Sequence, residues 1–277
     1  MYLQYKLRDC ITTHTFAGMK TGITKYVSAL LAFTGIFSLC GKAQYVTAPD
    51  NKSLLWEITG NKLQKPVYIF GTMHLLCAKD AVISENLKAI IKKSAVIYFE
   101  TDMDDMAGMF NGMKAGAMRN DTTLENLYTP EEYERIEKFF KEHGMDMQFK
   151  MLHNMQPMLV SALIYQAMLP CTQTGGLEMS IMQLASRYRK EVKGLETMEY
   201  QAGILNSIPY EVQAKELLNG VDSTEAFEEQ TKKMIELYKD QDVEKLLQFS
   251  VSSDNDMNEH TEEILLKTRN ANWCGQF

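Results

Sequence analysis

Residues 67–100 limit what this chain can fold into more than any other stretch. They open V-Y-I-F-G-T-M-H, four strand-forming residues followed by Gly71 and, three residues later, His74. They close A-V-I-Y-F-E-T-D, a second apolar run that delivers Glu100 as it ends. Between the two, residues 84–94 place Leu87, Ile90 and Ile91 on one face, the spacing of an amphipathic helix. Strand, helix and strand at this length predict a βαβ unit, a form that carries its ligands at the carboxyl ends of parallel strands. His74 and Glu100 both fall there, and Gly71 lets the backbone turn tightly before the histidine. The same residues also read, without any chemistry, as a turn glycine, a half-buried histidine and a strand-end carboxylate.

The first 43 residues differ from the rest. Residues 27–39 (VSALLAFTGIFSL) are uncharged and too short for a comfortable membrane span. Lys20 and Lys25 precede them, and small residues around Ala43 offer a cleavage point, the pattern of a secretory signal peptide. Counting from Met19 gives a leader of ordinary size, which makes residues 1–18 an upstream extension. The residues before Cys40 do not fit a lipidation site, so the expectation is export, to the periplasm or the extracellular space, without a stable membrane anchor. Losing residues 1–43 removes five basic residues and one acid, taking the net charge from −7 to −11. Such a balance argues against nucleic acid as a partner. Cys77, Cys171 and Cys274 remain, an odd number with no paired spacing, so one bridge is possible and its pairing is open.

Along residues 44–277, expected to form one domain, residues 53–59 predict a strand. Gly60-Asn61 predicts the turn of a hairpin with the strand at Val67. Met103, Met106, Met109 and Met113 recur at helical spacing; a soft metal or haem could use such a stripe, but an apolar face or groove lining fits it as well. Asp102, Asp104 and Asp105 lack the glycine and distal glutamate of a calcium loop. Thr129-Pro130-Glu131-Glu132 predicts a capped helix start, with the helix stopping at Gly144. Residues 157–169 are apolar nearly all round and predict a buried helix. These helices form an insertion at about residues 103–170. Gly176 opens a helix through Tyr188, residues 192–195 form a strand ending at Glu196, and residues 223–247 form helix broken near Asp240. The strand ends Y-F-E-T and G-L-E-T repeat, which points to two related halves facing one site.

Taken in order, S-L-L-W-E-I (53–58), F-G-T-M-H (70–74), Y-F-E-T-D (98–102), G-L-E (176–178), G-L-E-T-M-E-Y-Q (194–201) and R-N-A-N-W (269–273) resemble the TraB/PrgY/GumN proteins. They resemble in particular the secreted bacterial GumN-like branch. This group is related to the Tiki metalloproteases and more distantly to erythromycin esterases. The resemblance implies an α/β fold: a mixed central sheet from two related βαβ-type halves, flanked by helices, with the helical insertion. It implies a metal-dependent hydrolase, a peptidase, acting on a peptide or small-molecule substrate with a divalent metal such as Mn²⁺ or Co²⁺. His74 would be a metal ligand, Glu100 a ligand or the base that activates water, and Glu196 a supporting catalytic carboxylate from the opposite half. Gly71, Glu178 and Thr197 would support the motifs, Glu178 standing where the family usually has an aspartate. Family members carry a second G-x-x-H in a strand after R-N-x-x-W, and no such motif follows here, so a missing last strand and impaired activity are expected. The alternative is a non-catalytic secreted protein that binds peptide or haem.

Overall fold

The computed structural model describes residues 52–60, 63–253 and 263–276. The signal-peptide reading of residues 1–43, part of the first turn and the polar stretch around residues 254–262 lie outside them. The chain is mixed α/β. Strands β1 (Leu55–Ile58) and β2 (Val67–Phe70) form the expected antiparallel hairpin, with Leu55 opposite Phe70 and Ile58 opposite Val67. Helix α1 (Glu85–Lys93) is capped by Ser84, whose side chain accepts from Leu87 N, and it buries Leu87, Ile90 and Ile91 as its spacing predicts.

The strand pairing departs from the simplest βαβ reading. In place of one continuous central sheet, the described strands form three two-stranded sheets. The two-residue β3 (Leu76–Cys77) follows the turn after β2 and pairs with the equally short β5 (Thr174–Gly175). β4 (Val96–Thr101) pairs in parallel with β6 (Glu191–Glu196) and not with β2. Side-chain size permits the β4–β6 pairing. Gly194 sits opposite Phe99, and a Cβ there would collide with Asp102 N and crowd the Thr101 carbonyl carbon, so only glycine admits the close approach. The two E-T strand ends are thus neighbours, with Thr101 opposite Glu196.

Two apolar cores result. One joins Leu76, Leu87, Ile91 and Phe99 to Ile181 on helix α6 (Leu177–Arg187) and Ile235 on helix α9 (Thr224–Lys239). The other belongs to the helical insertion, which contains α2 (Met106–Gly116), α3 (Pro130–Glu142), α4 (Asp146–Met151) and α5 (Pro157–Ala167). The start of α3 is as predicted: Thr129 accepts from Glu132 N, and Glu132 accepts from Thr129 N at 2.8 Å. α5 departs from the all-round burial expected of it, because only Pro157, Val160 and Ile164 are buried and Tyr165 is exposed. The insertion closes its core with Leu217 and Val221 of helix α8 (Tyr210–Asp222), which comes after β6. Gln213 of α8 ties the junction, donating to Leu205 O and Ile208 O and accepting from Met158 N. Helix α7 (Met198–Ile204) packs on α2, where Gly112 leaves room for Met198. Beyond α9 the chain breaks at Gln241, which has φ 55°, before helix α10 (Val243–Ser253). A π-helical turn (Glu263–Thr268) then leads into the last helix, α11 (Arg269–Cys274).

Cys77 and Cys171 form a disulfide with Cα atoms 5.8 Å apart, resolving the open pairing and bracketing the insertion. No helix among the described residues is long and apolar enough to cross a membrane.

Candidate functional site

The turn after β2 is fixed from both sides. Gly71 N donates to Leu54 O at 2.9 Å, and the Tyr238 hydroxyl of α9 donates to Gly71 O at 2.8 Å. Burial pushes the Tyr238 phenol up, so it stays a donor at any physiological pH. The turn then presents Thr72 and His74 to Glu178, in the first turn of α6. Thr72 Oγ1 donates to Glu178 Oε1 at 2.5 Å, and His74 Nδ1 stands 2.7 Å from the same oxygen. Gly176 lets the helix start this close, since a Cβ there would lie 2.6 Å from His74 O. The hydrogen bond to Glu178 raises His74 above its ordinary 6.5, and the nearby Glu100 charge adds to the effect. Burial pushes the Glu178 carboxyl up, but the bonds from His74 and Thr72 outweigh it and hold the group below its ordinary value. The carboxylate is sheltered at 13% exposure, whereas the His74 side chain is 73% exposed.

Glu100 and Glu196, at the ends of the paired strands, meet a cation that pattern reading did not assign. Arg269 donates from Nη2 to Glu100 Oε2 at 2.8 Å, and from Nη2 and Nε to Glu196 Oε1 at 2.6 and 2.9 Å. Trp273 Nε1 donates to Glu196 Oε2 at 3.0 Å, so both oxygens of Glu196 are engaged and its side chain is only 5% exposed. The Arg269 guanidinium also lies over the Trp273 ring. Glu100 is more open: Gln201 donates to its Oε2, and Oε1 carries no hydrogen bond among the described residues. Beside Arg269, Asn270 Nδ2 is buried without a hydrogen-bond partner there. Thr197 caps α7, accepting from Tyr200 N at 3.0 Å. Arg269 and Trp273 stand in the R-N-A-N-W motif, which carried the resemblance but pointed to no partner; Thr72 and Gln201 gave no signal of their own.

His74, Glu178, Glu100, Gln201 and Met103 line one cleft beside β2 and β4, of about 1180 Å³, whereas Glu196, Arg269 and Trp273 are not part of its lining. The rest of the methionine stripe, Met106, Met109 and Met113, lies exposed on α2 together with Phe110. The arrangement offers a histidine oriented by a buried carboxylate, a second carboxylate with one oxygen open, and an apolar channel. Glu178 engaging Nδ1 also resembles the carboxylate that orients a metal-binding histidine. Among the described residues, however, no three His, Cys, Asp or Glu side chains stand close enough together to hold a metal ion.

The chain is thus a mixed α/β protein with paired strand-end glutamates near a histidine turn. The profile of the TraB/PrgY/gumN family matches residues 54–277, and the chain belongs to that family. It is also 23% identical over 186 residues to the zebrafish (Danio rerio) protein Metalloprotease TIKI1, covering 58% of this chain and 37% of that protein. The chain therefore spans well under half the length of this relative. No solved structure matches.

Proposed function

We propose that this protein is an exported hydrolase acting on peptides, with its working groups at the carboxyl ends of β2 and β4. The observation that carries the reading is the 2.7 Å contact between His74 Nδ1 and the sheltered Glu178 carboxylate, at the edge of a cleft that also holds Glu100. Family membership and the likeness to Metalloprotease TIKI1 support hydrolysis as the reaction class. The Cys77–Cys171 disulfide supports export, because such bridges persist in oxidising compartments.

The divalent metal implied by the resemblance finds an incomplete donor set among the described residues. What the side chains in place can do is move protons. With Glu178 accepting from Nδ1, His74 keeps Nε2 for the cleft; neutral, that nitrogen takes a proton from water as the water oxygen bonds to the peptide carbonyl carbon. The same proton then passes to the leaving amine as the C–N bond breaks. Glu100 Oε1 is a second acceptor within the cleft, held in place through Oε2 by Arg269 and Gln201. Glu196, with both oxygens bonded, acts through Arg269 as a positioning residue.

The test is turnover of a quenched-fluorescent peptide library by the full chain, with and without added Mn²⁺ or Co²⁺. Cleavage should be lost in His74→Ala and reduced in Glu100→Gln, and equal rates in both variants and the parent would overturn the reading. The incomplete donor set favours one second reading, a peptide-binding protein without turnover, for which saturable binding with no new amino termini is the signature.

A further inference from the structure

We infer that the outer face of α2 is a soft-metal site, in which the thioethers of Met106, Met109 and Met113 bind a monovalent cation of the Cu⁺ or Ag⁺ type. The helix is built inside out. Its only buried residues are Gly112 and Gly116. Each lies so close to a neighbour that a Cβ would not fit, Gly112 against Met198 of α7 and Gly116 against Leu159 of α5. An ordinary surface helix turns its large apolar side chains inward and its polar ones to water. Here the glycines pack, while Met106, Met109, Phe110 and Met113 stand 72%, 37%, 69% and 63% exposed. None of these four lines the cleft beside β2 and β4. Packing among the described residues therefore does not account for them.

Spacing and chemistry make sulfur the working atom. With about 3.6 residues per turn, the three methionines fall on one face, Met109 lying three residues after Met106 and four before Met113. Side chains at those spacings have Cβ atoms about 5–6 Å apart, and the long, unbranched methionine chain lets neighbouring sulfurs turn toward one point. Met109 is the shared member, with one partner in the turn before it and another in the turn after. Thioether sulfur is neutral and soft, so it selects Cu⁺ over Mn²⁺ or Ca²⁺. Cys77 and Cys171, which would compete as thiols, are closed in their disulfide. Phe110 stands four residues after Met106 and three before Met113, on the same face, and its ring adds an attractive surface for a bound cation. Asp104 and Asp105 are exposed just ahead of the helix, and no lysine or arginine occurs between residues 102 and 113, so the local field favours a cation. Met103, which begins the stripe, packs against the first core and lines the cleft, and it is not one of the ligands. Thioethers have no proton to displace, so the site holds its ion across a wide pH range. The sulfur face is separate from the histidine–carboxylate groups of the cleft and does not depend on their chemistry.

The probe is Ag⁺ in chloride-free buffer, titrated into the full chain isotope-labelled at its methionine methyl groups, and the titration is repeated with Cu⁺ kept reduced by ascorbate. The methyl signals of Met106, Met109 and Met113, assigned from single leucine variants, should move together and stop moving at a single ion per chain. Mn²⁺ at the same concentration should leave them in place. Combining Met106→Leu, Met109→Leu and Met113→Leu keeps the apolar face and the helix, since leucine matches methionine in size and helix propensity. That triple variant, with helix content equal to the parent by circular dichroism, should bind Ag⁺ more weakly by about tenfold or more. An Ag⁺ titration that leaves the three methyl signals unmoved, or a triple variant that binds as tightly as the parent, overturns the site.

Discussion

Arg269 and Glu196 form a two-bond ion pair, at 2.6 and 2.9 Å, with both side chains largely withdrawn from water at 13% and 5% exposure. The pair joins the last described helix to the end of β6, and its second branch reaches Glu100 at the end of β4. Burial disfavours the arginine's charge, but the two carboxylates outweigh it and keep it cationic. Removing one partner strands the other charge in a poorly solvated place. Arg269→Met should therefore cost about 3–5 kcal/mol, read as a lower urea midpoint with an unchanged slope. Arg269→Lys should recover only part of this, because an ammonium cannot fork across two carboxylates.

The His74–Glu178 pair makes a pH prediction. His74 is raised in the fold, so its contribution is complete below its ordinary 6.5 and is lost as pH climbs through the raised value. Glu178 is lowered, so its contribution is present above its ordinary 4.5 and is lost as pH falls through the lowered value. Both contributions are complete between those two ordinary values. Because His74 is mostly exposed, solvent screening keeps the effect on stability small. It should be read instead by NMR titration of the His74 ring: Glu178→Gln should bring its midpoint down toward 6.5. An unmoved midpoint would show that the pair is not formed in solution.

Gly176 sets the distance between α6 and the histidine turn. Gly176→Ala puts a methyl group against His74 O, which is backbone and cannot swing aside. The turn should move outward, lengthening the His74–Glu178 contact and lowering the His74 midpoint while the helices remain. Peptide turnover should fall with it, and a parent-like His74 titration in the alanine variant would refute the close approach.

The disulfide between Cys77 and Cys171 closes a 94-residue span. On a chain-entropy estimate, a loop of this size contributes about 4–5 kcal/mol, and native bridges typically give about 2–5. Cys77→Ser should lower the thermal midpoint accordingly, and a reducing agent should lower the parent's midpoint by more than the variant's.

Local structure was readable wherever a residue acts on its neighbours. Ser84 caps the helix that follows it, Thr129 and Glu132 exchange bonds three residues apart, and the hairpin pairs across its own turn. His74 and Glu100 were legible as candidates because one follows Gly71 by three residues and the other closes an apolar run, whereas Glu178 was a candidate only through the family resemblance. The partners of those side chains were not. Arg269 acts across 73 and 169 residues, and Tyr238 holds Gly71 across 167. Nothing in a local pattern marks one arginine among many as the cation two distant carboxylates share. The pairing of β4 with β6, where β2 was the expected neighbour, requires Gly194, whose need for close contact appears only once Phe99 and Asp102 are beside it. Helices α7 and α8 went unread because residues 198–222 carry modest periodicity, and their apolar positions face an insertion formed far earlier in the chain.

That last arrangement has a consequence for the order of assembly. Domains tend to fold as their residues leave the ribosome, the amino-terminal parts first. Here the insertion emerges early with Phe140, Phe149 and Ile164 ready to associate, yet its core needs Leu217 and Val221 from beyond β6. Until those arrive, the early helices carry an unfinished apolar surface, and the core of the insertion closes only after α8 has been made.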